Sequence, residues 1–236
     1  WLRTGQHLPT TSSPSIGDFL RVYAQAEQEA SGIVSVHLSP SLSAIYNAAL
    51  TASQLVDGVP IRLVDSQTAA MGQGFVVLEA ARAAAAGAAV DAVVARAKEV
   101  ASRMNLLATI DTLQYLYRGG RIGGAAALLG TVLQIKPILY LADGHVDVFA
   151  KPRTKSRAIR IMLQQMAERS EGRPLHAAIL HADVPDEAEA LRQQVAAQFD
   201  CTELYVTPFT PVMGAHTGPG VLGVAFYVDG GTGDRA

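Results

Sequence analysis

Two rhythms of apolar and polar positions alternate along this chain, one with the period of a helix and one with that of a strand. Residues 18–26 carry helical spacing behind a hydroxyl cluster, and Ser15 or Asp18 is placed to cap them. Residues 32–39 form a short apolar run with β-branched side chains, the pattern of a buried strand. The run opens through Pro40-Ser41-Leu42-Ser43 into a helix over 45–55. A turn at 57–60 leads to a second strand, 61–65, ending at Ser66. Strand, helix, strand in this order predicts a βαβ unit and a parallel sheet. Ligands of parallel sheets sit beyond the carboxyl ends of the strands, which is where Ser39, Ser43, Asp65 and Ser66 fall.

The rest of the chain is mixed. Residues 74–101 are alanine-rich and helical, broken near Gly87. A strand over 105–111 precedes a glycine-rich loop, 118–124, and an apolar helix over 125–133. Residues 137–149 read as a hairpin turning on Asp143-Gly144. A basic helix (153–169), a strand (175–182), an amphipathic helix (185–199), a strand (204–209), a tight loop (214–220) and a final strand (221–227) follow. This predicts an α/β protein of two domains dividing near residues 74–80. Residues 1–76 form a parallel α/β domain, and 77–236 a mixed or antiparallel sheet domain with helices.

Composition narrows the function. The 236 residues are 49 % hydrophobic and 17 % charged, below the roughly 25 % charge of an average globular protein, so much of the surface is buried. A net charge of −2 offers no basic field for phosphates and argues against nucleic acid. The single cysteine, Cys201, excludes an internal disulfide and a cysteine metal cluster, and fits a reducing compartment. No apolar run reaches the roughly 20 residues of a membrane helix.

Candidate chemistry is confined to hydroxyls and one histidine. Thr11, Ser12 and Ser15 surround Pro14, Ser39, Ser41 and Ser43 open a helix, and His216 sits among glycines in 214–220. Hydroxyls beside free N–H groups suit a carboxylate or phosphate. The loop Arg118-Gly-Gly-Arg-Ile-Gly-Gly124 has neither the Gly-Lys-Ser/Thr ending of a P-loop nor the Gly-x-Gly-x-x-Gly order, and reads as a helix-initiating turn. His37 reads as a core histidine and His145 as solvated. His176 and His181 lack carboxylates at metal spacing, so no metal is expected.

In order, Thr11-Ser12-Ser13-Pro14-Ser15, His37-Leu-Ser-Pro-Ser-Leu-Ser43 with Tyr46, Val64-Asp65-Ser66 with Met71-Gly-Gln-Gly74, residues 111–123, Ile135-Lys-Pro-Ile138 and Gly214-Ala-His-Thr-Gly-Pro-Gly220 resemble the motifs of the bacterial DegV family. The resemblance runs from about Thr10 to Tyr227. Two departures stand out. Ala44-Ile45 replaces the family's Gly-Thr after the serine, and the family's first strand with its Asp-Ser ending has no counterpart after Trp1, so a preceding segment is expected.

The resemblance implies a two-domain DegV-like fold holding one long-chain fatty acid between the domains. Its carboxylate would meet Thr11, Ser43 and His216, with Ser12 and Ser39 as lesser contacts. It further implies a cytoplasmic carrier without catalysis of its own. The carrier presents the acid to a separate ATP-dependent fatty acid kinase, whose acyl phosphate feeds phospholipid synthesis. Each buried methylene contributes about 0.8 kcal/mol, so an acid of about 16–18 carbons gains on the order of 10 kcal/mol before losses. Leu128, Leu129, Val132 and Ile138 are the candidates for the tail, and Arg118, Arg121, Arg153 and Arg157 for a partner surface. The alternative is a serine hydrolase with Ser43 as nucleophile, His216 as base and Asp65 as orienter, although Ser43 lacks the Gly-x-Ser-x-Gly elbow.

Overall fold

The computed structural model describes residues 9–130 and 135–228. By internal contacts the chain separates into two compact units. One comprises Thr11–Ser102 together with the hairpin tip Ala142–His145; the other holds described residues 9–10, 103–130, 135–141 and 146–228.

The first unit is built on a two-stranded parallel sheet, β1 (Ile33–His37) and β2 (Ile61–Asp65), in register from Ile33↔Ile61 to His37↔Asp65. Helix α1 (Ile16–Ala26) begins at Ser15, which accepts from the Asp18 N–H while the Asp18 carboxylate accepts from the Ser15 N–H. This capping box satisfies two of the helix's orphan donors. Helix α2 (Ile45–Ser53) buries Ala49 and Ala52. Helices α3 (Ala70–Ala85) and α4 (Val90–Arg103) complete the unit, broken at Gly87 as the sequence predicts.

The boundary expected near residues 74–80 therefore moves to about residue 102. Phe75 and Val76 of α3 are fully buried, and Glu79 of α3 is salt-bridged to Arg96 of α4. Gln73 of α3 donates its side-chain amide to the Val36 carbonyl of β1, and Arg62 of β2 is paired with Asp91 of α4, so both helices belong with the parallel sheet. Their many small residues give little periodic contrast, which is why the pattern did not show which sheet they cover.

The second unit is a six-stranded mixed sheet in the order β5-β4-β3-β8-β6-β7. Its strands are β3 (Asn105–Thr109), β4 (Ile138–Ala142), β5 (His145–Ala150), β6 (Leu175–His181), β7 (Cys201–Pro208) and β8 (Leu222–Val228). β6 and β7 are parallel, whereas β3 is antiparallel to β4 and β8, and β6 to β8. Alternation along the strands builds the core. Leu175, Ala177 and Ile179 of β6 and Leu222, Val224 and Phe226 of β8 pack with Ala158, Met162 and Met166 of α6 (Lys155–Ser170) and Ala188, Leu191 and Val195 of α7 (Pro185–Gln198). Both helices show the three- and four-residue spacing of a one-sided apolar stripe. A smaller cluster gathers Leu113 and Leu116, around α5 (Gln114–Arg118), with Ala125 and Leu128 of a 3₁₀ turn (Gly123–Leu128).

Two local expectations change. The apolar helix over 125–133 is instead the 3₁₀ turn, with residues 131–134 outside the described residues. The tight loop at 214–220 is largely helix α8 (Pro211–Thr217). Thr210 caps it by accepting from the Met213 N–H, Pro211 occupies its first turn, and Gly218, at φ 76°, ends it. Among the described residues no helix is long and apolar enough to cross a membrane.

Candidate functional site: a hydroxyl cluster and a half-buried imidazole

In the first unit the chain leaves β1 at His37 and folds back on itself before α2. The Leu42 and Ser43 N–H groups both donate to the Ser39 carbonyl, at 2.9 and 3.2 Å. This tight turn gathers its serines. Ser39 is buried, and its hydroxyl lies 3.1 Å from that of Ser41. The half-buried Ser43 hydroxyl accepts from the Ile45 N–H at 3.3 Å and lies 3.1 Å from the Ser13 hydroxyl. The Thr11–Ser15 segment therefore meets the serine turn, through Ser13, which sequence reasoning did not single out. Within that segment Thr11 is half-buried and Ser12 exposed.

β2 ends beside this turn, where the Ser66 N–H donates to the His37 carbonyl at 2.8 Å. Asp65 accepts from the Gln67 N–H at 2.8 Å, the bond of a local turn. Asp65 and Ser43 thus each accept from the N–H two residues on, as turn residues do, and the hydrolase reading gains no support from either.

His37 is half-buried at the end of β1, edge-on to Phe19. Tyr23 donates its hydroxyl to Ser35 Oγ at 2.9 Å, and Ser35 Oγ is 2.7 Å from His37 Nε2. The Ser35 hydroxyl has a lone pair for each neighbour and one proton to give, so either tautomer of His37 completes this chain of hydrogen bonds. Burial pushes the His37 pKa down, so the ring is neutral at neutral pH. His37 is thus hydrogen-bonded as the sequence reading expects, but half-buried and not a core residue.

His216 occupies the last turn of α8 in the second unit. Its ring is seated against Gly119, just past α5: a Cβ there would lie 2.5 Å from His216 Nδ1. Arg121 donates to the Gly119 carbonyl at 2.6 Å. Desolvation, and then the positive charge of Arg121, lower the His216 pKa. A depressed imidazole carries fewer protons folded than unfolded. Its contribution to stability is complete above the ordinary 6.5 and is lost as pH falls through the folded value. We expect the NMR titration midpoint of His216 to lie below 6.5 and to rise in an Arg121→Gln chain; an unchanged midpoint would show that the arginine is not felt. A Gly119→Ala chain is expected to fold while displacing the imidazole. Gly119 has an ordinary φ of −76°, so the added methyl acts by contact and not by backbone strain. Loss of the native His216 chemical shifts is the readout.

The remaining candidates are scattered in character. Leu128 is buried and borders an open cleft of about 510 Å³ with Ala127, Val148 and Phe149. Leu129 is exposed, Ile138 is fully buried in the main core, and Val132 lies outside the described residues. Arg118, Arg153 and Arg157 are exposed, whereas Arg121 is half-buried. Among the described residues no group of three or more His, Cys, Asp or Glu side chains is arranged to hold a metal ion.

What these groups offer is a set of neutral donors: hydroxyls at the carboxyl end of a parallel sheet and an uncharged imidazole. The fold is that of a two-unit α/β protein, with the hydroxyl cluster in the first unit and the imidazole in the second. The family model described as "Uncharacterised protein, DegV family" matches residues 2–229, and the chain belongs to the DegV family. It is 42 % identical over 217 residues to a DegV domain-containing protein of Streptomyces coelicolor, covering 91 % of this chain and 77 % of that one. A solved DegV family protein from Thermus thermophilus, described by its fatty acid binding, superposes with a TM-score of 0.90 at 37 % identity, over 96 % of this chain and 81 % of the other. DegV of Bacillus subtilis, described as a fatty acid binding protein, gives a TM-score of 0.87 at 31 % identity, over 94 % and 79 %.

Proposed function

We propose that this protein binds one long-chain fatty acid and presents its carboxylate to a separate ATP-dependent fatty acid kinase, without catalysing a reaction itself. The observation that carries the reading is the gathering of neutral hydroxyls at the serine turn, joined by Ser13. Its warrant is the likeness to two solved relatives described as fatty acid binding. Thr11, Ser12, Ser39 and Ser43 supply hydroxyls to the carboxylate, and His216 supplies a ring N–H. Neutral donors hold a carboxylate without the strong pairing of a lysine or arginine, which leaves it reactive toward a phosphoryl donor. Apolar residues around Leu128 take part of the tail.

The exposed Arg118, Arg153 and Arg157 serve as the face offered to an acidic surface of the kinase, with Arg121 bonded to the Gly119 carbonyl just past α5, the helix that Arg118 ends. The product is an acyl phosphate for phospholipid synthesis, and the carrier works in the cytoplasm. The test is calorimetric titration with hexadecanoic acid, followed by transfer of phosphate from ATP in the presence of a fatty acid kinase. Saturable binding near one acid per chain, with phosphate transfer that needs the chain, is the expected result. Binding without transfer would remove the carrier role, and absence of binding would remove the whole reading.

A further inference from the structure

The Asp143-Gly144 hairpin tip is counted with the first unit because it lies on the serine turn. Asp143 and Gly144 both have positive φ, 49° and 78°, as the tight primed turn of a two-residue hairpin requires. The Ser41 hydroxyl donates to the Gly144 carbonyl at 2.6 Å, a short bond spanning 103 positions of sequence. On the other side, the bare Cα of Gly144 faces Ser39: a Cβ there would come within 2.5 Å of Ser39 Cβ and closer still to its hydroxyl. Gly144 is thus required twice, for its left-handed backbone and for its lack of a side chain.

We propose that the hairpin tip is the positioning element of the head-group site, acting through Ser41 and Gly144; this rests on the fatty acid reading above. Committing the Ser41 proton to Gly144 takes that hydroxyl out of competition for the ligand. Contact with Gly144 sets the depth at which Ser39 is buried. The Ser39 carbonyl in turn receives the Leu42 and Ser43 N–H groups, so the orientation of Ser43 depends on how Ser39 is seated. Ser41 and Gly144 are positioning residues: the carboxylate feels them through Ser39 and Ser43.

The test compares the full chain with Ser41→Ala, Ser41→Thr and Gly144→Ala, titrating hexadecanoic acid and, separately, its methyl ester. Ser41→Ala is expected to weaken the acid about three- to tenfold, as loss of one hydrogen bond would, and to leave the ester unchanged. Ser41→Thr keeps the hydroxyl and is expected to restore the acid's affinity. Gly144→Ala is expected to lose more than Ser41→Ala. Equal weakening of acid and ester, or no weakening of the acid, would overturn the proposal.

Hydrogen exchange at the Leu42 and Ser43 amides gives a readout that needs no ligand. These amides are expected to exchange faster in Ser41→Ala. Unchanged exchange overturns the positioning role even if the unaltered chain binds no acid, an outcome that separately removes the lipid reading. Should Gly144→Ala fail to fold, the exposed Ser41 still decides the matter.

Discussion

A Glu79→Ala chain is expected to unfold at a clearly lower denaturant midpoint, with a loss of about 2–3 kcal/mol. Glu79 projects from α3 with only 9 % of its side chain exposed. It accepts from Arg82 at 2.6 Å and from Arg96 Nε at 3.0 Å, with a second Arg96 nitrogen bonded to the same oxygen. Removing the carboxylate leaves Arg96, 28 % exposed, with Glu99 as a counterion one helical turn away. Arg82 is 48 % exposed, so Arg82→Ala is expected to cost under about 1 kcal/mol.

The same network predicts a pH dependence. Burial raises the Glu79 pKa, but hydrogen bonds and charge from Arg82 and Arg96 outweigh it, and the net shift is downward from 4.5. A depressed carboxylate stabilises fully above its unfolded value. The contribution therefore holds above about pH 5 and is lost as pH falls through the folded value. Unfolding midpoints measured from neutral pH down to about 3 should show this loss in the unaltered chain and a shallower one in Glu79→Gln. Parallel curves would show that Glu79 is not the group responsible.

A His216→Ala chain is expected to bind a long-chain fatty acid about tenfold or more weakly, the effect of losing a hydrogen bond to a charged group. The half-buried ring, held neutral by desolvation and Arg121, gives this donor its value. A carboxylate arriving beside it would favour the imidazolium, so binding is expected to raise the His216 titration midpoint, opposing the lowering by burial and Arg121. His216→Gln, which keeps a side-chain N–H donor, should recover part of the affinity. Wild-type affinity in His216→Ala would remove His216 from the head-group set and leave the hydroxyls alone.

Where the chain carries strong local signals, sequence and structure agree. Ser15 with Asp18 three residues on marks a helix start, and the helix begins there. The β-branched runs at 33–37 and 61–65 pair in parallel around α2, which places Ser39, Ser43 and Asp65 at one end of the sheet. Asp143-Gly144 turns the hairpin.

The misreadings share a cause, which is the weight given to glycine and alanine as local markers. Glycines at 214, 218 and 220 suggested a loop, although Thr210-Pro211 ahead of them is a helix-start signal, and the helix holds His216. Long-range partners had no local signal at all. Ser13 meets Ser43 across 30 positions and Ser41 meets Gly144 across 103. The types of group in the candidate site were therefore legible, but not the contacts that orient them.

Mass spectrometry of the lipids extracted from the purified chain tests the central claim most directly. Long-chain fatty acid at close to one molecule per chain, with a free carboxylate, is the predicted result. A chain that emerges lipid-free and takes up no fatty acid when offered it, or that carries only neutral or phosphate-headed lipids, would contradict it.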